Sequence, residues 1–201
     1  MMEKNELKKN LAALLSATEK NSEEIAERLV ARFLSAASIA AADYYELTDV
    51  CGLSPKSAVL LRTAFALGAR RRTEFFKLGK KHTEDEIVEY LKGLYYDLSN
   101  ETLYLLTVDA DDRIISSEYV GEGTVNAVEI VPRKLLEILV KRKCKRAIIA
   151  HNHPGGYATA SVEDIDTTAR IDALFRTAER ELICHYVIAG DEFHKIEPGR
   201  S

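Results

Sequence analysis

Tryptophan is absent from the 201 residues, methionine occurs twice and proline four times. Cysteine is scarce too. Cys51, Cys144 and Cys184 are odd in number, far apart, and form no CxxC pair. This argues against a disulfide framework and a cysteine-ligated zinc site, and it fits a reducing compartment. No stretch approaches the roughly 18 consecutive apolar residues of a membrane span. The first residues, MMEKNELKKNLAALLS, mix charges with a short apolar run. They lack the apolar core and cleavage pattern of a secretory leader. The expectation is a cytoplasmic protein with no membrane partner.

What is present is an ordinary globular composition, with 46% apolar and 30% charged residues. A core of useful size needs no metal to staple it, so a metal site in this chain would be functional rather than structural. The net charge of −4 is uneven: residues 1–80 hold 13 Lys/Arg against 10 Asp/Glu, and the remainder 15 against 22. The basic excess gathers in Arg70, Arg71, Arg72, Lys77, Lys80 and Lys81. Such a cluster can face phosphates; it also suits a solvated helix end, where cations meet the negative pole of the helix dipole.

Two segments with different periodicities follow one another. Residues 1–75 carry helical spacing throughout, as in Ile25, Leu29, Val30 and Phe33, then Val59, Leu60, Ala64 and Leu67. Between helices, Gly52 ends one turn, Ser54 caps the next helix and Pro55 takes its first position. That is a helix–hairpin–helix outline, and it predicts a small all-α domain over residues 1–80. Residues 76–83 read as a linker. Thr83 and Glu86 form a capping box for a new helix, which opens a second domain over 83–201.

In this second domain the pattern mixes helices and strands. Residues 103–108 and a return beginning at Arg113 are strands about an aspartate-rich turn, Asp109 to Asp112. Those aspartates resemble a metal cluster, but turn chemistry accounts for them. Pro132 opens a helix, 146–150 is a short buried strand, and a long helix is expected from Val162 to Leu182. Residues 185–189 and 192–196 close the chain as a hairpin about Gly190-Asp191. The fold class is α+β, in an α/β/α three-layer form.

The chemistry gathers at the end of the buried strand, in His151-Asn152-His153-Pro154-Gly155-Gly156 and then Ser161-Val162-Glu163-Asp164. Two histidines two residues apart on extended backbone project to one face. The Pro-Gly-Gly turn brings the chain round, and Asp164 falls in the first turn of the next helix, free to swing toward them. Two imidazoles and a carboxylate leave a fourth zinc position for water, the pattern of a catalytic site. Ser161-x-x-Asp164 also reads as a plain helix cap.

The string HxH, seven residues, S, two residues, D matches in full the signature of the JAMM/MPN+ (JAB-domain) metalloproteases. The wording HNHPGG resembles the RadC-like branch. Gly123-Thr124 with Asn126, Pro132-Arg133 and His185 extend the likeness over residues 83–198, and the helical first part resembles the helix–hairpin–helix region preceding this domain in RadC-like proteins. The resemblance implies a cytidine-deaminase-like sheet with flanking helices and one Zn2+ on His151, His153 and Asp164. It also implies a base, Glu101, that activates water, and Ser161 as donor to the oxyanion. Glu118, Glu122, Glu129 and Glu163 are the other glutamates considered for the base. Cys184 and His185 do not make a dyad, because neighbours on a strand face opposite ways. His82 reads as a linker residue and His194 as strand surface.

Three functions compete: a zinc peptidase or isopeptidase acting on a peptide or protein, a DNA-associated protein with a secondary metal domain, and a metal-free interaction scaffold. RadC-like proteins have carried a DNA-repair label. The hairpin here, however, reads Gly52-Leu53-Ser54 where DNA-binding forms commonly place a second glycine. Weak backbone contacts through Lys56, Arg62, Arg70, Arg71 and Arg72 stay open.

Overall fold

The computed structural model describes residues 2–33, 35–123, 130–154 and 156–199. Thr124, Asn126, Glu129 and Gly155, all singled out above, lie outside the described residues. The chain divides into two compact units, residues 1–70 and 71–201.

The first unit is helical. It comprises α1 (Met2–Leu15), α2 (Ser22–Phe33), α3 (Ala36–Ala41), a single π-helical turn (Glu46–Val50) and the greater part of α4 (Pro55–Phe75). Its core is Leu11, Leu15, Ile25, Leu29, Ile39, Leu47, Leu53 and Leu61. The expected punctuation is in place. Gly52 adopts φ +72°, a left-handed conformation that glycine takes freely. Ser54 Oγ accepts the Ser57 N–H at 3.3 Å, and Pro55 begins α4.

The second unit is built on a five-stranded sheet in the order β2-β1-β3-β4-β5. Its members are β1 (Thr102–Val108), β2 (Ile114–Glu122), β3 (Arg146–Asn152), β4 (Glu181–Ala189) and β5 (Glu192–Ile196). All neighbouring pairs are antiparallel except β3–β4. A parallel pair needs a crossover, supplied by α7 (Val162–Thr177). Side chains alternate between faces. Leu106, Val108, Ile148, Ala150, Cys184, Tyr186 and Ile188 pack with Ile87, Val88 and Leu91 of α5 (Glu84–Leu94). Leu103, Leu105, Ala147 and Ile149 pack with Leu135 and Leu139 of α6 (Ile130–Arg142) and with Ile171 and Phe175 of α7. The unit is therefore α+β, a sheet between two helical layers. Burial on both faces explains why β3 and β4 read as continuous apolar runs.

Several local expectations hold. Thr83 and Glu86 form a complete capping box. Asp109 Oδ1 accepts the N–H groups of Asp111 and Arg113, both at 2.9 Å, so the aspartate cluster is a turn.

Three boundaries differ. The long helix stops at Thr177 rather than Leu182, and β4 begins at Glu181. Its end is a Schellman motif: Arg180 N–H donates to Phe175 C=O at 2.7 Å and Glu179 N–H to Arg176 C=O at 3.1 Å. Glu179, not glycine, occupies the left-handed position at φ +54°, so the stop carried no glycine signal. Helix α6 begins at Ile130, with Pro132 inside the first turn, where a missing N–H costs no intrahelical bond. Residues 76–83 are not a free linker. Gly79 N–H donates to Ile114 C=O at 2.7 Å and Ile114 N–H to Lys80 C=O at 2.9 Å, while Phe76 stacks against His82 and Tyr90.

Candidate metal centre

Strand β3 is central in the sheet, and His151 stands opposite Leu103 of β1 and Val187 of β4. It shares the face of Ala147 and Ile149, turned toward α7, and is fully buried. His153 leaves the strand with its N–H on Ile188 C=O at 2.8 Å. Its Nδ1 lies 3.0 Å from the Tyr157 carbonyl oxygen. A carbonyl can only accept, so Nδ1 carries the hydrogen and Nε2 presents a lone pair.

Ser161 caps α7 and Asp164 is the third residue of the helix. The cap is reciprocal: Asp164 N–H donates to Ser161 Oγ at 3.1 Å, and Asp164 Oδ2 accepts the Ser161 N–H at 2.8 Å and its hydroxyl at 2.7 Å. The same carboxylate reaches the histidines, with Oδ1 3.1 Å from His151 Nε2 and Oδ2 3.3 Å from His153 Nε2. The two Nε2 atoms are 2.9 Å apart. The cap and the cluster are thus one feature. Burial alone would raise the Asp164 pKa. The adjoining His151 and the Ser161 hydrogen bonds outweigh it and hold the carboxyl well below its usual range. An ionised carboxylate and two imidazoles at one point can hold a metal ion.

Glu101 immediately precedes β1. It stands two residues before Leu103, whose register partner is His151, so strand alternation carries its position to the Leu103 face. It is half-buried, and its carboxylate has no hydrogen-bond or ion-pair partner among the described residues. Glu122 pairs with Thr102 and so takes the opposite face. Glu118 is engaged by Arg142 at 2.6 Å. Glu163 is exposed on α7. His82 bonds Lys77 C=O and Glu86, and His194 is an exposed strand residue.

Thr168 and Asn152 had no role in the sequence reading, and His185 entered it only as part of the family likeness. His185 is fully buried with Nε2 2.7 Å from His151 Nδ1, while Cys184 faces α5. Burial, then the neighbouring His151, holds His185 well below the usual imidazole range. Thr168 Oγ1 lies 2.7 Å from His185 Nδ1 and 2.6 Å from Asp164 C=O. Asn152, between the histidines, faces the other way, and its amide bonds Thr102 N–H at 2.8 Å and Asn100 C=O at 3.2 Å. The spacing of Thr168, one helical turn beyond Asp164, was the available signal.

In the first unit the hairpin amides are already engaged. Gly52 N–H goes to Thr48 C=O at 3.0 Å, Leu53 N–H to Leu47 C=O at 3.2 Å, and Ser54 N–H to the Glu19 carboxylate at 2.7 Å. Hydrogen bonds from Ser57 and Ser54 hold Glu19 below the usual carboxylate range. An anion thus already sits at the start of α4. Lys56, Arg70 and Arg71 are exposed. Arg72 pairs with Glu89 at 3.1 Å and Asp191 at 3.4 Å. No helix among the described residues is long and apolar enough to cross a membrane.

Comparison with known proteins agrees with this architecture. The RadC-like JAB domain matches residues 82–197. A UPF0758 protein of Shewanella pealeana is 28% identical over 170 residues, 84% of this chain and 76% of its own length. One from Photobacterium profundum is 29% identical over 173 residues, 86% of this chain and 77% of its own. One from Staphylococcus aureus is 30% identical over 153 residues, 75% of this chain and 70% of its own. The chain belongs to the RadC-like JAB domain family.

Proposed function

We propose that the second unit is a zinc-dependent hydrolase that cleaves amide bonds, of the peptidase or isopeptidase kind. The convergence of His151, His153 and Asp164 carries this reading. Tetrahedral zinc with bonds of roughly 2.0–2.1 Å sets its ligand atoms roughly 3.3 Å apart. The two Nε2 atoms are 2.9 Å apart, and each lies 3.1 or 3.3 Å from a different oxygen of the Asp164 carboxylate, a group compact enough to close on one ion. The donor set is also wrong for magnesium or calcium, which prefer oxygen.

Bound zinc supplies an acidified water, with a pKa of roughly 7, and polarises a scissile carbonyl. The chain's own groups do the rest. Glu101, two residues before the register partner of His151, takes a proton from the attacking water and returns it to the leaving amine. Asp164 accepts the Ser161 N–H and hydroxyl, and both bonds favour its ionised form. For Ser161 to steady an oxyanion, its hydroxyl must turn from Asp164 toward the substrate.

For the first unit we propose a packing or protein-contact role over DNA binding. A hairpin whose N–H groups are internally bonded, with Glu19 at its helix start, has little to offer a phosphate. Binding to duplex DNA that weakens with salt and with Lys56→Ala, Arg70→Ala and Arg71→Ala would reverse that reading.

The test of the metal reading is elemental analysis of untagged protein purified without added metal, beside His151→Ala/His153→Ala. Close to one zinc per wild-type chain, lost in the variant, supports it. No zinc in folded wild type, even when zinc is offered, makes the domain a scaffold.

A further inference from the structure

We infer that Thr168 and His185 form a one-way hydrogen-bond chain that fixes the tautomer of His151 and aims its Nε2 lone pair at the metal position. The inference rests on the reading of His151, His153 and Asp164 as a metal site, and it assigns a role to two buried residues which that reading does not use.

The direction of the chain follows from counting hydrogens. Thr168 Oγ1 lies 2.6 Å from the Asp164 carbonyl oxygen. Two oxygens approach so closely only with a hydrogen between them, and a carbonyl has none to give. The single hydroxyl hydrogen of Thr168 therefore points at Asp164. Toward His185 Nδ1, 2.7 Å away, the hydroxyl can then only accept, so Nδ1 carries a hydrogen. In the neutral ring Nε2 is the acceptor. It lies 2.7 Å from His151 Nδ1, which must be the donor. His151 is left with its lone pair on Nε2, the atom 2.9 Å from His153 Nε2 and 3.1 Å from Asp164 Oδ1.

The reverse order fails at its first link. If Thr168 donated to His185, its contact with Asp164 would lack a hydrogen. His185 would then donate to His151 Nδ1, and the hydrogen of His151 would sit on Nε2, where it would block a metal. The chain also closes on itself. Thr168 bonds the backbone of Asp164 and, through His185, the ring of His151, so two of the three ligands are tied together from behind. Ligand histidines generally depend on such a partner at the far nitrogen, whose removal weakens metal binding by roughly 10–100-fold. Here the partner is a second imidazole rather than a carboxylate, so it adds no negative charge. His185 and Thr168 are positioning residues.

Two measurements test this. The first is a long-range proton–nitrogen correlation spectrum of metal-free wild type under mildly alkaline conditions, which reads each tautomer directly. His185 is expected with its hydrogen on Nδ1; a hydrogen on Nε2 instead overturns the chain. The second is zinc affinity by chelator competition. His185→Leu is expected to bind roughly 10–100-fold more weakly. His185→Gln, whose amide can still accept from His151 and donate to Thr168, should stay near wild type. Thr168→Val should weaken binding and Thr168→Ser restore it. Wild-type affinity in a folded His185→Leu protein overturns the inference. If the leucine variant does not fold, the Thr168 pair and the spectrum still decide. A wild type that shows the expected tautomers but takes no zinc refutes the metal reading and leaves the hydrogen-bond chain standing.

Discussion

Asn152 Oδ1 accepts the backbone N–H of Thr102 at 2.8 Å, and Asn152 Nδ2 donates to Asn100 C=O at 3.2 Å. The residue between the two histidines therefore grips the backbone on both sides of Glu101. One strand segment sends His151 toward α7 and uses its intervening residue to fix the loop that carries the proposed base.

This separates two kinds of variant. Glu101→Gln should keep zinc at the wild-type level and lose roughly 10²–10⁴-fold in kcat. Asn152→Ala should also keep zinc, since it touches no ligand side chain, yet lose turnover because Glu101 is no longer held. Parallel metal analysis and kinetics on a peptide that the wild type cleaves would check both. Equal turnover by Glu101→Gln and wild type would remove Glu101 from the mechanism.

Ser161→Ala removes a helix cap and a hydrogen bond to Asp164 together. The cap alone is worth roughly 0.5–2 kcal/mol, so the melting temperature should fall. Zinc affinity should fall as well, because Asp164 Oδ2 loses the 2.7 Å bond that orients it. Ser161→Thr keeps an oxygen in place and should recover most of both. Thermal melts and chelator competition on the three proteins make the comparison.

The fold was legible where one residue pattern had one cheap solution. The capping box at Thr83 and Glu86 and the hairpin about Gly190 are of this kind. The convergence of His151, His153 and Asp164 was legible because extended backbone sends the two histidines to one face and a forced turn brings Asp164 back. The end of α7 was not, because Glu179 takes the left-handed position that glycine usually marks. Gly79 and Lys80 were missed for another reason: their pairing with Ile114 is a backbone event at a sheet edge, with no side-chain signature. His185 was placed on the correct strand, but its approach to His151 depends on β3–β4 register, which a single sequence does not reveal.

The thiols offer a test of the buried sheet. All three cysteines are buried, and burial pushes Cys184 up to about 11. A thiol reagent acts on the thiolate, so Cys184 should be inert in native protein at neutral pH. It should react at an ordinary rate once denaturant opens the unit. Labelling followed by peptide mapping reads each cysteine separately, and rapid native labelling of Cys184 would contradict its place between α5 and the sheet.

A last prediction concerns acid. Glu84, at the start of α5, accepts Lys195 Nζ at 2.9 Å and the Tyr186 hydroxyl at 2.8 Å, so one carboxylate ties the helix to both β4 and β5. The Lys195 ammonium, then the Tyr186 hydrogen bond, hold its pKa below the usual carboxylate value. A lowered folded pKa means that the stabilisation is fully present above the unfolded value, about 4.5. It is lost as pH falls through the lower folded value. Glu84 is half exposed, which keeps the effect small, about 1 kcal/mol or less. Glu84→Gln should therefore be less stable than wild type near neutrality, and the gap should close in strong acid, where both side chains are neutral. Denaturant melts of the two proteins across that range decide it, and a gap that widens as pH falls would mean that Glu84 acts through something other than its charge.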